Sequence, residues 1–209
     1  MPIEAVIFDC DGTLVDSELL ANEVLVEYAT GFGVPITLEE ALGCYAGGKM
    51  ADCVEDMERR LGRKLPDSFV PELRARTAEV FRKRLQVMEG AAEMLAALRV
   101  PCCVASSGPP EKIELSLGLT GLLPRFEGRV FSAYEIGYWK PDPRLFLHAA
   151  GAMGVPAERC AVVEDSLPGI SAGLAAGMTT FAFRWRGALP ENAIALARLQ
   201  DLPGLIAAS

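Results

Sequence analysis

The segment Val6-Ile7-Phe8-Asp9-Cys10-Asp11-Gly12-Thr13-Leu14-Val15-Asp16-Ser17 runs an apolar stretch straight into two acids one residue apart. Two neighbouring carboxylates repel one another unless a cation or a proton reconciles them. Gly12 lets the chain turn sharply and approach a ligand closely. An Asp-rich turn after a strand would explain a lone Asp-Gly. The full string of apolar residues, Asp-x-Asp, Gly and Thr points instead to an anion-handling or metal-handling site.

Three later segments supply what the first lacks. Val104-Ala105-Ser106-Ser107-Gly108 ends an apolar run in hydroxyls. Trp139-Lys140-Pro141-Asp142-Pro143 places a lysine just before a helical pattern. Val162-Val163-Glu164-Asp165-Ser166 ends another apolar run in paired acids. Carboxylates, hydroxyls and a lysine thus stand at the ends of four apolar runs.

The elements that must carry these residues are five short apolar runs, read as buried parallel strands: Ile3–Phe8, Pro101–Ala105, Arg129–Ser132, Cys160–Val163 and Met178–Phe183. Helical patterns separate the last four. Pro109-Pro110 opens one helix, Pro143 opens another that stops near Gly154, and a third runs from about Pro168 to Gly177. This alternation predicts a doubly wound, Rossmann-like α/β parallel sheet. In such sheets, ligands bind at the carboxyl ends of the strands. With the first strand central, the second and third on one side and the fourth on the other, all four chemical segments converge.

The interval from Ser17 to about Met88 breaks the rhythm and reads as helices only. Ser17 is placed to cap a helix beginning at Glu18, and Thr37-Leu38-Glu39-Glu40 has the form of a capping box. Met50–Leu61 and Glu72–Leu85 are amphipathic. The interval is too long for one crossover helix. It predicts an inserted helical cap domain over residues 17–86, with residues 1–16 and 87–209 forming the α/β core.

Composition narrows the function. The net charge of −8 argues against a general nucleic-acid binder, and it obliges an anionic substrate to find local cations. Six cysteines without a CxxC pair, and a single histidine, argue against a Cys/His zinc site and fit a reducing cytosol. Cys102, Cys103 and Cys160 lie inside apolar runs and read as core residues. No apolar run approaches a membrane span, and Met1-Pro2-Ile3-Glu4 lacks the basic start of a secretory leader. The expectation is a cytoplasmic protein without nucleic-acid or membrane partners, a monomer or weak homo-oligomer.

With its four segments in order, the chain resembles the haloacid dehalogenase superfamily of phosphatases, in its sugar-phosphatase and β-phosphoglucomutase branch. The resemblance implies roles residue by residue. Asp9 matches the nucleophile that forms an aspartyl-phosphate. Asp11 matches the general acid and base. Ser106 matches the hydroxyl that binds a phosphoryl oxygen, with Ser107 where relatives often carry Asn, and Thr13 reaches the transferred group. Lys140 matches the lysine that neutralises the phosphoryl group. Asp9, the Asp11 carbonyl, Glu164 and Asp165 match the Mg²⁺ site. The implied reaction is hydrolysis of a small phosphoester, a sugar or sugar-acid phosphate with 6-phosphogluconate foremost.

In the resembled family the cap loop reads the substrate. Here that loop is Tyr45-Ala46-Gly47-Gly48-Lys49, so Gly48 and Lys49 are expected to bind substrate, with Arg74 and Arg76 as further cap candidates. An interhelical turn is the plainer reading of the same stretch. A phosphosugar mutase is the rival activity. Mutase-type members carry a histidine early in the first cap helix, where this chain has Ala21, and no histidine lies in the cap. A silent phosphate-binding module is a third possibility, opposed by the presence of Asp9, Asp11, Lys140 and Asp165.

Overall fold

The computed structural model describes residues 2–45 and 47–208. Six strands, β1 (Ala5–Phe8), β2 (Cys102–Ser106), β3 (Val130–Ser132), β4 (Cys160–Glu164), β5 (Thr179–Phe183) and β6 (Ile194–Leu196), form one all-parallel sheet in the order β3-β2-β1-β4-β5-β6. The five expected strands are present and β1 is central, flanked by β2 and β4. β6 is an addition. It has only three residues, with Ile194 and Ala195 exposed, and its short run over residues 193–197 is mostly alanine, a residue depleted in strands.

Alternate residues of the strands feed two cores, as a pleat of period two requires. Val6, Phe8, Val104 and Val163 point to one face; Ala5, Ile7, Cys103, Ala105 and Val162 point to the other. Helices α1 (Glu18–Gly31), α2 (Leu38–Tyr45), α3 (Met50–Leu61) and α4 (Phe69–Arg84) occupy the interval between β1 and β2. The rest of the chain adds α5 (Ala91–Ala97), α6 (Pro110–Leu119), α7 (Ala133–Ile136), α8 (Arg144–Met153), α9 (Leu167–Ala175) and α10 (Leu202–Ala207). Prolines stand at or beside the starts of α6, α8 and α9, where a missing N–H costs nothing. Gly154 closes α8 in the left-handed conformation. Among the described residues, no helix is long and apolar enough to cross a membrane.

Helices α1–α4 enclose an apolar cluster of their own, including Leu25, Ala29, Met57, Phe69 and Leu73. Against it Tyr28 stacks on Phe69, and Phe32 meets both rings edge-on. The Thr37 capping box forms: the Glu40 amide donates to the Thr37 hydroxyl at 3.2 Å, and the Thr37 amide donates to the Glu40 carboxylate at 2.8 Å. Where the chain leaves for this interval and where it returns, the backbone is cross-linked. The Asp16 amide donates to Gln86 O at 3.0 Å and the Met88 amide to Leu14 O at 2.9 Å. Ser17 departs from expectation. It makes no side-chain cap bond to α1, because its hydroxyl is turned onto Asp11 instead.

Candidate active site

The β1 ladder runs on to its last partner, the Asp9 amide donating to Val163 O at 3.0 Å, and then breaks. Beyond it Gly12 turns with φ +75°, and its amide closes on Val15 O at 2.9 Å. A Cβ at Gly12 would collide with the Asp165 carboxylate, so glycine there allows both the turn and the approach of β1 to β4. Thr13, wholly buried, donates to Asp165 at 3.3 Å. Gly169 answers a similar need under Glu164, whose carboxylate lies where a Cβ would stand.

Asp9, Lys140 and Glu164 form a buried triad. The Lys140 ammonium donates to both carboxylates, to Glu164 at 2.6 Å, and all three residues are buried. Glu164 also accepts from the Ser166 amide at 3.1 Å and its hydroxyl at 2.8 Å. Asp11 lies beside the triad with both oxygens engaged. Ser17 Oγ donates to Oδ1 at 2.6 Å and Lys112 Nζ to Oδ2 at 2.8 Å. At the end of β2, Ser106 Oγ accepts from the Gly108 amide at 3.0 Å. Ser107 Oγ is buried and has no hydrogen-bond partner among the described residues, although buried hydroxyls are seldom left so. Ser132 Oγ, donating to Gly108 O at 2.7 Å, ties the end of β3 to this turn.

The electrostatics follow from crowding carboxylates in a poorly solvated place. Burial pushes Asp9 up to about 7; Lys140 pulls it down, while Glu164 and Asp11 push it further up. Burial, then Glu164 and Asp9, raise Asp165 well above the ordinary carboxylate range. Burial and Asp11 raise Glu18 to about 7. Burial acts on Asp11 too, but the charge and hydrogen bond of Lys112, helped by Ser17, outweigh it and hold Asp11 below its usual value. Burial opposes the charge on Lys140 and Lys112, yet their carboxylate partners hold both above the ordinary lysine value.

A cavity of about 410 Å³ opens above these residues. Asp9, Asp11, Ser106 and Ser107 face it from the core, and Tyr45, Gly48 and Arg74 face it from the helical interval. Lys49 is not in its lining: its ammonium lies 4.5 Å from the centre of the Trp139 ring. Arg76 lies over Tyr28. Arg74 donates to Tyr134 Oη at 2.8 Å, and Tyr134 packs edge-on against Trp139. Ala46 lies outside the described residues. Sequence reasoning missed Ser17, Glu18 and Lys112. Lys112 carries one faint signal, its place in the first turn of a helix that Pro109-Pro110 starts beside the Ser106 turn. Among the described residues, no three His, Cys, Asp or Glu side chains gather as an all-side-chain metal site would need.

A family model described as haloacid dehalogenase-like hydrolase matches residues 3–177, which include every strand-end segment above. The chain belongs to the haloacid dehalogenase-like hydrolase family. Among its curated haloacid dehalogenase-like relatives is 6-phosphogluconate phosphatase of Escherichia coli, 40% identical over 182 residues, covering 87% of this chain and 82% of the relative. A solved haloacid dehalogenase-like protein of unknown function from Agrobacterium tumefaciens superposes with a TM-score of 0.82 at 32% identity, covering 99% of this chain and 98% of that one. A haloacid dehalogenase family hydrolase from Deinococcus radiodurans, solved with bound phosphate and sodium, superposes with a TM-score of 0.77 at 29% identity, covering 99% and 96%.

Proposed function

We propose that this protein is a phosphatase that hydrolyses a small phosphomonoester, a sugar-acid phosphate such as 6-phosphogluconate foremost. The observation that carries the reading is Asp9: a carboxylate lining the cavity, held by a buried lysine, with a second aspartate two residues on. In this reading an Asp9 oxygen attacks phosphorus as the bond to the ester oxygen breaks, giving an aspartyl-phosphate. Asp11 gives a proton to the departing alkoxide. It then takes one from the water that attacks phosphorus, and phosphate leaves with Asp9 restored. Lys140 and the Ser106 hydroxyl hold the phosphoryl oxygens. The unpartnered Ser107 hydroxyl gains a partner when phosphate arrives.

The residues fit a Mg²⁺ ion. Asp9, Glu164 and Asp165 crowd together with one ammonium among them, leaving an excess of negative charge among oxygen donors. Mg²⁺ is commonly held by one or two carboxylates and keeps several waters, so it does not need three converging side chains. Asp9, the Asp11 carbonyl and Asp165 would hold it, with Glu164 directly or through water. When bound, it screens the Asp9 carboxylate from the phosphate dianion.

Residues 17–86 are proposed to act as a cap over a core of 1–16 and 87–209. Two features support this division: the separate apolar cluster of α1–α4, and the backbone cross-link at 14–16 and 86–88. The relative's name is the support for the substrate. The test is phosphate release with Mg²⁺ from a panel of phosphorylated metabolites, with Asp9→Asn as control. Release that survives in Asp9→Asn, or no release from any ester, overturns the reading.

A further inference from the structure

Lys112 stands apart from the residues assigned above. Its ammonium lies in the cavity lining, 2.8 Å from Asp11 Oδ2, and this is its one side-chain hydrogen bond among the described residues. An ammonium carries three donors. The side chain is 30% exposed and lines the cavity, whereas the Lys140 ammonium, 1% exposed, sits between Asp9 and Glu164. Of the other cations near the cavity, Lys140 bridges two carboxylates, Arg74 is bound to Tyr134 and Lys49 rests on Trp139. Arg82 also lines the cavity and is exposed, but only Lys112 is bonded to Asp11.

The bond to Asp11 sets a constraint. Each Asp11 oxygen already accepts one hydrogen bond, so a leaving group must compete with Ser17 and Lys112 for this carboxylate. Ser17 Oγ is wholly buried in its residue and has no other place to go. Lys112 sits on a flexible stem and has somewhere to go if the substrate brings a negative charge of its own.

We propose that Lys112 is the specificity residue that binds an acidic group on the non-reacting part of the substrate, and that in doing so it releases Asp11 for its work on the ester oxygen. The proposal rests on the phosphatase reading and deepens it, because it names the residue that would recognise the carboxylate of a sugar-acid phosphate. Reach limits the spacing. At first contact, while Lys112 still holds Asp11, two hydrogen bonds near 2.9 Å put the carboxylate on the order of 5–6 Å from the Asp11 oxygen, within the span of a six-carbon chain phosphorylated at its far end. Lys112 would therefore act at the acid end of such a chain while Asp9 acts at the ester end.

The experiment compares Lys112→Met and Lys112→Arg with the unaltered protein. In the Asp9→Asn background, calorimetry measures binding of 6-phosphogluconate and of glucitol 6-phosphate, open chains that differ at C1 in the carboxylate. In the Asp9 background, kcat/KM is measured for the same two esters. Lys112→Met is expected to lower the preference for the acid ester by roughly ten- to a hundredfold in both measurements, the scale of a lost charge-assisted contact. Lys112→Arg should recover most of it. A preference that stays within twofold overturns the proposal, whether overall activity falls or not; a uniform fall would make Lys112 a positioning residue for Asp11 only. Preference for the neutral ester in the unaltered protein also overturns it, while leaving the phosphatase reading intact. If the unaltered protein releases phosphate from neither ester, that reading loses its sugar-phosphate substrates, and the binding arm still decides the role of Lys112.

Discussion

Replacing Lys140 by Met tests the electrostatic core of the site. The substitution keeps side-chain length and removes the charge. Lys140 holds Asp9 and Glu164 together with its own side chain only 1% exposed and theirs 10% and 1%. Without it, two carboxylates are left in contact where water does not reach. Glu164 keeps its bonds from Ser166, but Asp9 loses its side-chain donor. Removing one partner from a buried ion pair costs about 3–5 kcal/mol. At this chain length each kcal/mol moves the melting temperature by about 2–4 °C, so Lys140→Met should melt about 6–20 °C lower. The assay is thermal unfolding by circular dichroism at pH 8 in EDTA, with near-native spectra required at the starting temperature. Adding Glu164→Gln should restore part of the loss, since it removes one of the stranded charges; the two changes share a contact and must couple. A Lys140→Met protein melting within about 2 °C of the parent would refute the reasoning. So would a double variant that loses the full sum of both single effects.

Asp11→Ala should slow hydrolysis of sugar phosphates by about 10²–10⁴-fold, and slow single-turnover phosphorylation by p-nitrophenyl phosphate less, because that leaving group needs little protonation. Equal losses for both esters would argue against Asp11 as the acid. EDTA should abolish phosphate release and Mg²⁺ restore it, whereas Ca²⁺, which accepts more ligands at longer distances, should inhibit; full activity in EDTA removes the metal from the account. Glu18, raised from 4.5 to about 7 in the fold, holds its proton there after the unfolded chain has lost it. Its contribution to stability therefore declines as pH rises through that window and is fully lost above pH 7. Glu18→Gln should flatten this part of the pH profile of the melting temperature and be relatively more stable at pH 8 than at pH 5; parallel profiles would contradict the assignment.

The strands were legible because a parallel sheet covered on both faces leaves unbroken apolar runs, and β1, β2, β4 and β5 are buried almost throughout. The edge strand β6 was hidden by its brevity and exposure. Asp9, Asp11, Ser106, Lys140, Glu164 and Asp165 were legible because strand ends collect at one edge, and the structure brings them together there. Lys112 and Glu18 were not, since they reach the site by the aim of side chains on helices, which depends on how those helices pack. Ser17 shows the same limit. Its local sequence suits a helix cap, but a carboxylate within 2.6 Å makes a stronger partner for its hydroxyl. Lys49 sits in the loop that sequence reasoning singled out, yet the path of that loop carries its ammonium onto an aromatic ring.

That ring has an optical consequence. The chain holds two tryptophans, and Trp139 lies where Lys49 from the helical interval meets the residue preceding Lys140. Its indole N–H is buried without a hydrogen-bond partner among the described residues, while Trp185 stands in the loop after β5 and donates to Ala188 O. With Trp185 changed to Phe, the remaining emission comes from a single indole whose neighbour is a cation carried by the other half of the molecule. Separation of the two halves would move that charge away and wet the ring. The protein thus carries its own fluorophore where the proposed cap meets the core, and a movement of that proposed cap would be read in stopped flow without attaching a label.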